Sequence, residues 1–166
     1  MTPKEEALRY LNDRGIAYET ASHRPALTIG DCAEAEKLLG AVMPRNIFLC
    51  TANRQHFALL ICRPQAVFRT SSISKQASLS RLSFAPGEKL KELLGTYAGA
   101  VSPLGLIYDK KREVKFLMDK TLIREESLLF HPLDNSCSVK LSMRAFTEDF
   151  LRPLGYEITF VNMESN

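Results

Sequence analysis

Asn46-Ile-Phe-Leu-Cys-Thr51 and His56-Phe-Ala-Leu-Leu-Ile-Cys62 are two apolar runs separated by Ala52-Asn-Arg-Gln55. Short runs of branched and aromatic residues flanking a polar turn read as the strands of a β-hairpin. Neither run alternates with polar residues, so both strands are expected to be covered on both faces, at the centre of a sheet. Helical patterns lie on either side. Thr2-Pro3-Lys4-Glu5 is a capping box with proline at the first helical position, and Ala7, Leu8 and Leu11 follow at helical spacing until Gly15. Ile16 to Thr20 reads as a short strand, and a second helix is expected from about Gly30 to Leu39, with Thr28 as its cap and Gly40 as its stop.

Downstream of the hairpin, Phe68 to Gln76 reads as a surface helix or loop, Arg81-Leu-Ser-Phe84 as a brief strand, and Pro86 to Leu94 as a helix closed by Gly95. The turn-rich Gly99-Ala-Val-Ser-Pro103 then leads into an apolar run, Leu104 to Tyr108, and Asp109-Lys-Lys-Arg112 separates it from Val114 to Met118. That arrangement predicts a second hairpin. A strand near Ser138 to Leu141, a helix from about Met143 to Leu151 and a strand from Tyr156 to Val161 complete the pattern. Interleaved helices and strands with two hairpins predict a single α/β domain over residues 1–166 with a mixed sheet.

Composition narrows the function. The chain has 166 residues, 45% hydrophobic and 25% charged, enough to bury a core without metal or disulfides. A net charge of +3 is too small for a surface that neutralises many duplex DNA phosphates, so DNA is not an expected partner. No apolar run approaches the roughly 20 residues of a membrane span, and Met1-Thr-Pro-Lys-Glu-Glu has no signal-peptide order, so a cytoplasmic protein without a membrane partner is expected. Cys32, Cys50, Cys62 and Cys137 form no C-x-x-C pair and His23, His56 and His131 no H-x-x-x-H pair, so neither a metal nor another cofactor is expected. The glycine-rich nucleotide motifs and G-x-S-x-G are absent too.

Four phrases in order carry a resemblance: H-x-P-x-x-T at His23, Pro25 and Thr28; Arg45-Asn-Ile-Phe-Leu49; Gly99-Ala-Val-Ser-Pro103; and His131-Pro-Leu-Asp-Asn135. Together with Arg81-Leu-Ser-Phe84 ahead of a Leu-Leu-Gly helix end, they resemble the YbaK/ProX family of aminoacyl-tRNA deacylases over about residues 4 to 155. The resemblance is nearest to the free-standing branch that edits Ala-tRNA(Pro). It implies a mixed, partly barrel-like sheet flanked by helices, and hydrolysis of the ester joining a wrong amino acid to tRNA without metal or covalent nucleophile. An apolar pocket rejects a slightly smaller side chain by only about 1–3 kcal/mol, which is why a second, hydrolytic site is needed. The chemistry asks for orientation of a water or ribose hydroxyl and for stabilisation of an oxyanion.

The same resemblance implies the site. Arg45 stands where the family typically carries a lysine central to activity; its planar fork suits a phosphate, whereas an ammonium serves a single oxygen. Asn46 would hold a carbonyl or ribose hydroxyl, and the backbone of Gly99, Ala100, Val101, Ser102 and Pro103 would bind substrate. His131 would line the amino-acid pocket, and His23 and Thr28 one of its walls. The implied partners are the aminoacyl-tRNA acceptor end and prolyl-tRNA synthetase. Arg45, Arg54, Arg63, Arg69, Lys75 and Arg81 offer a basic margin for the few phosphates of that end. A deacylase-like module that binds such ligands without turnover is the alternative that Arg45 raises.

Overall fold

The computed structural model describes residues 1–25 and 31–165, which leaves Thr28 and the expected cap of the second helix outside the described residues. Helix α1 (Pro3–Asp13) begins as its sequence predicts: the Thr2 hydroxyl accepts from the Glu5 amide and a Glu5 carboxylate oxygen accepts from the Thr2 amide, both at 3.2 Å. Strand β1 (Glu19–Ser22) follows, three residues later than expected, and α2 (Cys32–Leu39) ends on Gly40 at φ 68°. The central hairpin is β2 (Arg45–Thr51) and β3 (Phe57–Cys62), in register from Arg45 opposite Cys62 to Cys50 opposite Phe57.

A two-residue strand β4 (Ala66–Val67), helix α3 (Thr70–Gln76), β5 (Leu82–Phe84) and α4 (Gly87–Leu94) come next. The run expected to be a strand, Leu104 to Tyr108, lies instead in a 3-10 helix (Pro103–Tyr108). Gly105 explains why it stays close to α4: a Cβ there would collide with the carbonyl oxygen of Leu94. The predicted second hairpin is therefore absent. Strand β6 (Val114–Asp119) runs parallel to β3, Phe57 pairing with Val114 and Ile61 with Met118. The chain completes with β7 (Ser127–Phe130), β8 (Cys137–Ser142), a π-helical segment Ala145–Leu151, β9 (Thr159–Val161) and β10 (Glu164–Ser165).

The strands form a five-stranded mixed sheet in the order β5-β2-β3-β6-β9, a three-stranded antiparallel sheet β1-β8-β7 and a two-stranded ribbon β10-β4. The hairpin is central, as its unbroken apolar runs predict, and no closed barrel forms among the described residues. Successive side chains of the central strands enter two cores. Phe48, Phe57, Leu59, Phe116 and Met118 meet α1, α4, the 3-10 helix, the π-helical segment and the smaller sheet on one face. Ile47, Leu49, Leu60, Cys62 and Leu117 meet α3 and Leu82 on the other. Cys50, Cys62 and Cys137 are buried free thiols, and Cys32 is half-buried.

Candidate active site

Strand β5 covers only the C-terminal half of β2, pairing Leu49 with Phe84 and Thr51 with Leu82; the last bond of the ladder runs from the Ala85 amide to the Phe48 carbonyl at 3.0 Å. Backbone groups two residues apart on a strand face the same side. The Asn46 amide and carbonyl thus lie on the edge of β2 that β5 leaves open. Over this open edge is a hollow of about 290 Å³, lined by Arg45, Asn46, Ile47 and Phe48 of β2, Phe84, Ala85 and Leu90 beside them, and Ala98, Gly99 and Val101 of the loop after α4. Arg45, Asn46, Gly99 and Val101, far apart in sequence, thus share one cavity.

Asn46 is held by its neighbour: its side-chain amide donates to the Pro44 carbonyl at 3.1 Å. That bond fixes which end of the side chain is nitrogen, since the reverse assignment would set two acceptors against each other. The other end, Oδ1, is shielded from water and has no hydrogen-bond partner. A buried acceptor without a donor costs about 1–3 kcal/mol, and groups left so in native proteins call for an explanation. Arg45 projects to the opposite face of the strand, where its guanidinium lies 6.0 Å from the Phe68 ring and has no ion pair among the described residues. Burial pushes the thiol of its register partner Cys62 up to about 11, with the Arg45 charge partly opposing the rise.

The Gly99 loop is set by its own side chains. Thr96 donates through its hydroxyl to the Ala100 carbonyl at 2.9 Å, the Ala100 amide bonds the Tyr97 carbonyl, and buried Ser102 caps the 3-10 helix by accepting from the Leu104 amide at 3.1 Å. Gly99 has φ 99°, a region that L side chains rarely adopt, and it lies close to Asn135. Ala100, Ser102 and Pro103 are buried behind the loop and do not line the hollow.

His131 and His23 form a second cluster beside β8. Their rings are 6.1 Å apart; His131 donates through Nδ1 to the Cys137 carbonyl at 3.0 Å, and His23 bonds the Arg24 carbonyl and the Ser138 hydroxyl at 2.8 and 2.7 Å. Neither lines the hollow. Asn135, from the same sequence motif as His131, reaches the Gly99 loop: its side-chain oxygen accepts from the Tyr97 hydroxyl at 3.2 Å just ahead of Gly99. The basic margin is partly committed as well: Arg63 bonds Thr121 and Glu125, and Arg54 reaches Glu88 at 3.3 Å. Phe84 at the rim of the hollow is a residue that the sequence reading left out.

Burial lowers His131 below its ordinary value of 6.5, outweighing the bond to the Cys137 carbonyl. A base whose pKa falls on folding stabilises the fold above its unfolded pKa and loses that contribution as pH drops through the folded one. The urea midpoint is expected to fall between pH 7.5 and 5, and His131→Gln to flatten that fall. An equal slope in both proteins would refute the assignment. Asp134, held below 3.8 by the Ser136 hydroxyl and amide, acts only at lower pH.

Two roomier hollows compare poorly. One of about 470 Å³ lies between Thr2, Lys4, Lys91, Tyr97 and Asp134, where no buried side-chain group lacks a partner. The other, of about 330 Å³, contains Tyr108, whose buried hydroxyl also lacks a hydrogen-bond partner but is pushed up to about 12 by burial and then by the Glu6 carboxylate, which makes it a poor acid. Among the described residues, the small hollow joins a cation, an orphaned acceptor and an open strand edge.

The Prolyl-tRNA editing protein ProX of Acetoanaerobium sticklandii is 30% identical over 143 residues, covering 86% of this chain and 87% of the relative. A solved structure described as a candidate trans-editing enzyme for prolyl tRNA synthetase superposes with a TM-score of 0.72 at 14% identity, over 100% of this chain and 99% of the other. A hypothetical protein of known crystal structure gives 0.71 at 18%, over 95% and 98%. At such identities these two likenesses speak to the fold alone. The model of the aminoacyl-tRNA editing domain matches residues 23–148, a span that holds β2, the Gly99 loop and the His131 segment, and the chain belongs to that family.

Proposed function

We propose that this protein is a free-standing editing hydrolase that cleaves a mischarged small amino acid, alanine, from tRNA(Pro). The observation that carries the reading is the buried, partnerless Oδ1 of Asn46, a residue that lines the hollow together with Arg45. The substrate brings donors for that oxygen, an α-ammonium and a ribose hydroxyl, and a phosphate for the guanidinium. Arg45 binds the terminal phosphate or polarises the ester. Asn46 orients the reacting end, and its backbone amide on the open edge of β2, with those of Gly99 and Val101, faces the developing oxyanion. Water then adds to the ester carbonyl, the tetrahedral intermediate collapses, and the ribose oxygen leaves with a proton. His131 and His23 do not line the hollow and take no direct part in the step.

The size of the hollow supports a small side chain. At about 290 Å³ it is at the lower end of ligand cavities, which run roughly 300–1,000 Å³, and the ester itself takes part of the space. Labelled Ala-tRNA(Pro), Cys-tRNA(Pro) and Pro-tRNA(Pro) test the reading. Fast release of alanine with proline spared is expected; release at the buffer rate from all three overturns it. The second reading, binding without turnover, follows from Arg45 in place of the family lysine. An inert wild type that gains hydrolysis on Arg45→Lys would favour it, whereas an active wild type silenced by Arg45→Ala favours the enzyme.

A further inference from the structure

Phe84 is an apolar side chain with 63% of its surface exposed, on a strand whose other members pair normally. A single exposed phenylalanine is ordinary. This one lies at the rim of the hollow, and its ring is backed by Phe68 at 5.7 Å and 58°, with the Arg45 guanidinium 6.0 Å from Phe68 in turn. The spacing of β5 explains the arrangement. Leu82 and Phe84 share one face of the strand; Leu82 is covered by α3 in the second core, and Phe84 lies one strand period beyond that cover.

We propose that Phe84 is the stacking platform for the terminal base of the substrate's acceptor end. The inference rests on the aminoacyl-tRNA reading above and adds to it the place where the nucleoside sits. A hollow of about 290 Å³ admits the aminoacyl ester but not the nucleoside as well, so the base is left at the rim. There it meets an exposed ring in tilted contact with Phe68, the ring that the Arg45 guanidinium approaches, and Arg45 has no ion pair among the described residues. An aromatic face with an adjacent arginine is the combination that holds single-stranded nucleic acid, the ring taking the base and the charge taking the backbone.

The test measures equilibrium binding of the trinucleotide CCA and of the same trinucleotide lacking its 3′ base, to wild type, Phe84→Ala and Phe84→Trp. Phe84→Ala is expected to weaken CCA binding about 5- to 100-fold and Phe84→Trp to retain it. The base-free trinucleotide is expected to bind all three proteins alike. Equal affinity of wild type and Phe84→Ala for CCA overturns the proposal, as does the same loss with the base-free trinucleotide, or no wild-type binding at millimolar CCA. A wild-type dimer abolished by Phe84→Ala would assign the ring to a second copy instead. Because binding is read apart from turnover, a protein that hydrolyses nothing but discriminates the base would sink the hydrolase reading and leave this one standing.

Discussion

Replacing Asn46 with alanine is expected to leave the protein folded and to lower the turnover of aminoacyl-tRNA by about 10²–10³-fold, the usual loss when one oriented polar group of an oxyanion-stabilising site is removed. Two stability terms oppose each other. Alanine loses the bond to the Pro44 carbonyl, worth about 0.5–1.5 kcal/mol, but also removes an acceptor whose burial without a donor costs about 1–3 kcal/mol. The melting point should therefore hold or rise slightly as activity disappears. Aspartate separates this account from a purely structural one. A carboxylate cannot donate to Pro44, so it sets acceptor against acceptor and buries a charge, and Asn46→Asp is expected to be both inactive and less stable than Asn46→Ala. Urea denaturation alongside single-turnover hydrolysis checks both effects. An alanine variant that is clearly destabilised, or that keeps its turnover, would contradict the role assigned to Oδ1.

What made the fold legible was the unbroken apolarity of Phe57-Ala-Leu-Leu-Ile-Cys62: a strand buried on both faces has no polar side, and that is how β3 sits between β2 and β6. The same rule misleads at Leu104-Gly-Leu-Ile-Tyr108. A short apolar run is equally suited to a buried helical turn, and the choice was made by the contact of Gly105 with α4, which no local pattern reveals. Once that segment is helical, Asp109-Lys-Lys-Arg112 turns into β6 without a partner strand before it, and β6 pairs with β3 instead. Ser127-Leu-Leu-Phe130 escaped because four residues after two glutamates carry too little pattern. The motifs name Arg45, Asn46 and Gly99, which line one hollow, yet a sequence cannot show that one amide end of Asn46 is bonded and the other left over. Phe84 was inside a quoted phrase, but its exposure depends on where α3 stops covering β5. His131 shares a motif with Asn135, which bonds Tyr97 ahead of the Gly99 loop, yet itself lies apart from the cavity.

The largest loss of stability is expected at a residue with no part in the chemistry. Asp109 is buried, and its carboxylate accepts from the Glu113 amide, the Val114 amide and the Tyr156 hydroxyl at 2.9, 2.9 and 2.7 Å. It thereby fastens the end of the 3-10 helix, the first residue of β6 and the segment before β9 at one point. Burial and then the facing Asp109 carboxylate raise the Tyr156 phenol far above its ordinary value, so it remains a proton donor throughout the working range. Asp109→Ala deprives the Glu113 and Val114 amides of their acceptor and leaves the Tyr156 hydroxyl only its longer contacts to the Leu106 and Asp109 backbone carbonyls. At about 1–3 kcal/mol for each buried group left unpaired, and with some relief from water entering the gap, a loss of about 3–5 kcal/mol is expected, a large share of a domain's stability. Asp109→Asn keeps one acceptor oxygen and should lose less, and Tyr156→Phe, which leaves both backbone bonds intact, least of all. Urea midpoints for the three variants should fall in that order. Because Asp109 does not line the hollow, turnover measured well below the new melting point should stay close to wild type. An alanine variant as stable as the parent would mean that water, and not the carboxylate, satisfies these amides, and the anchoring of β6 would have to be sought in its pairing with β3 alone.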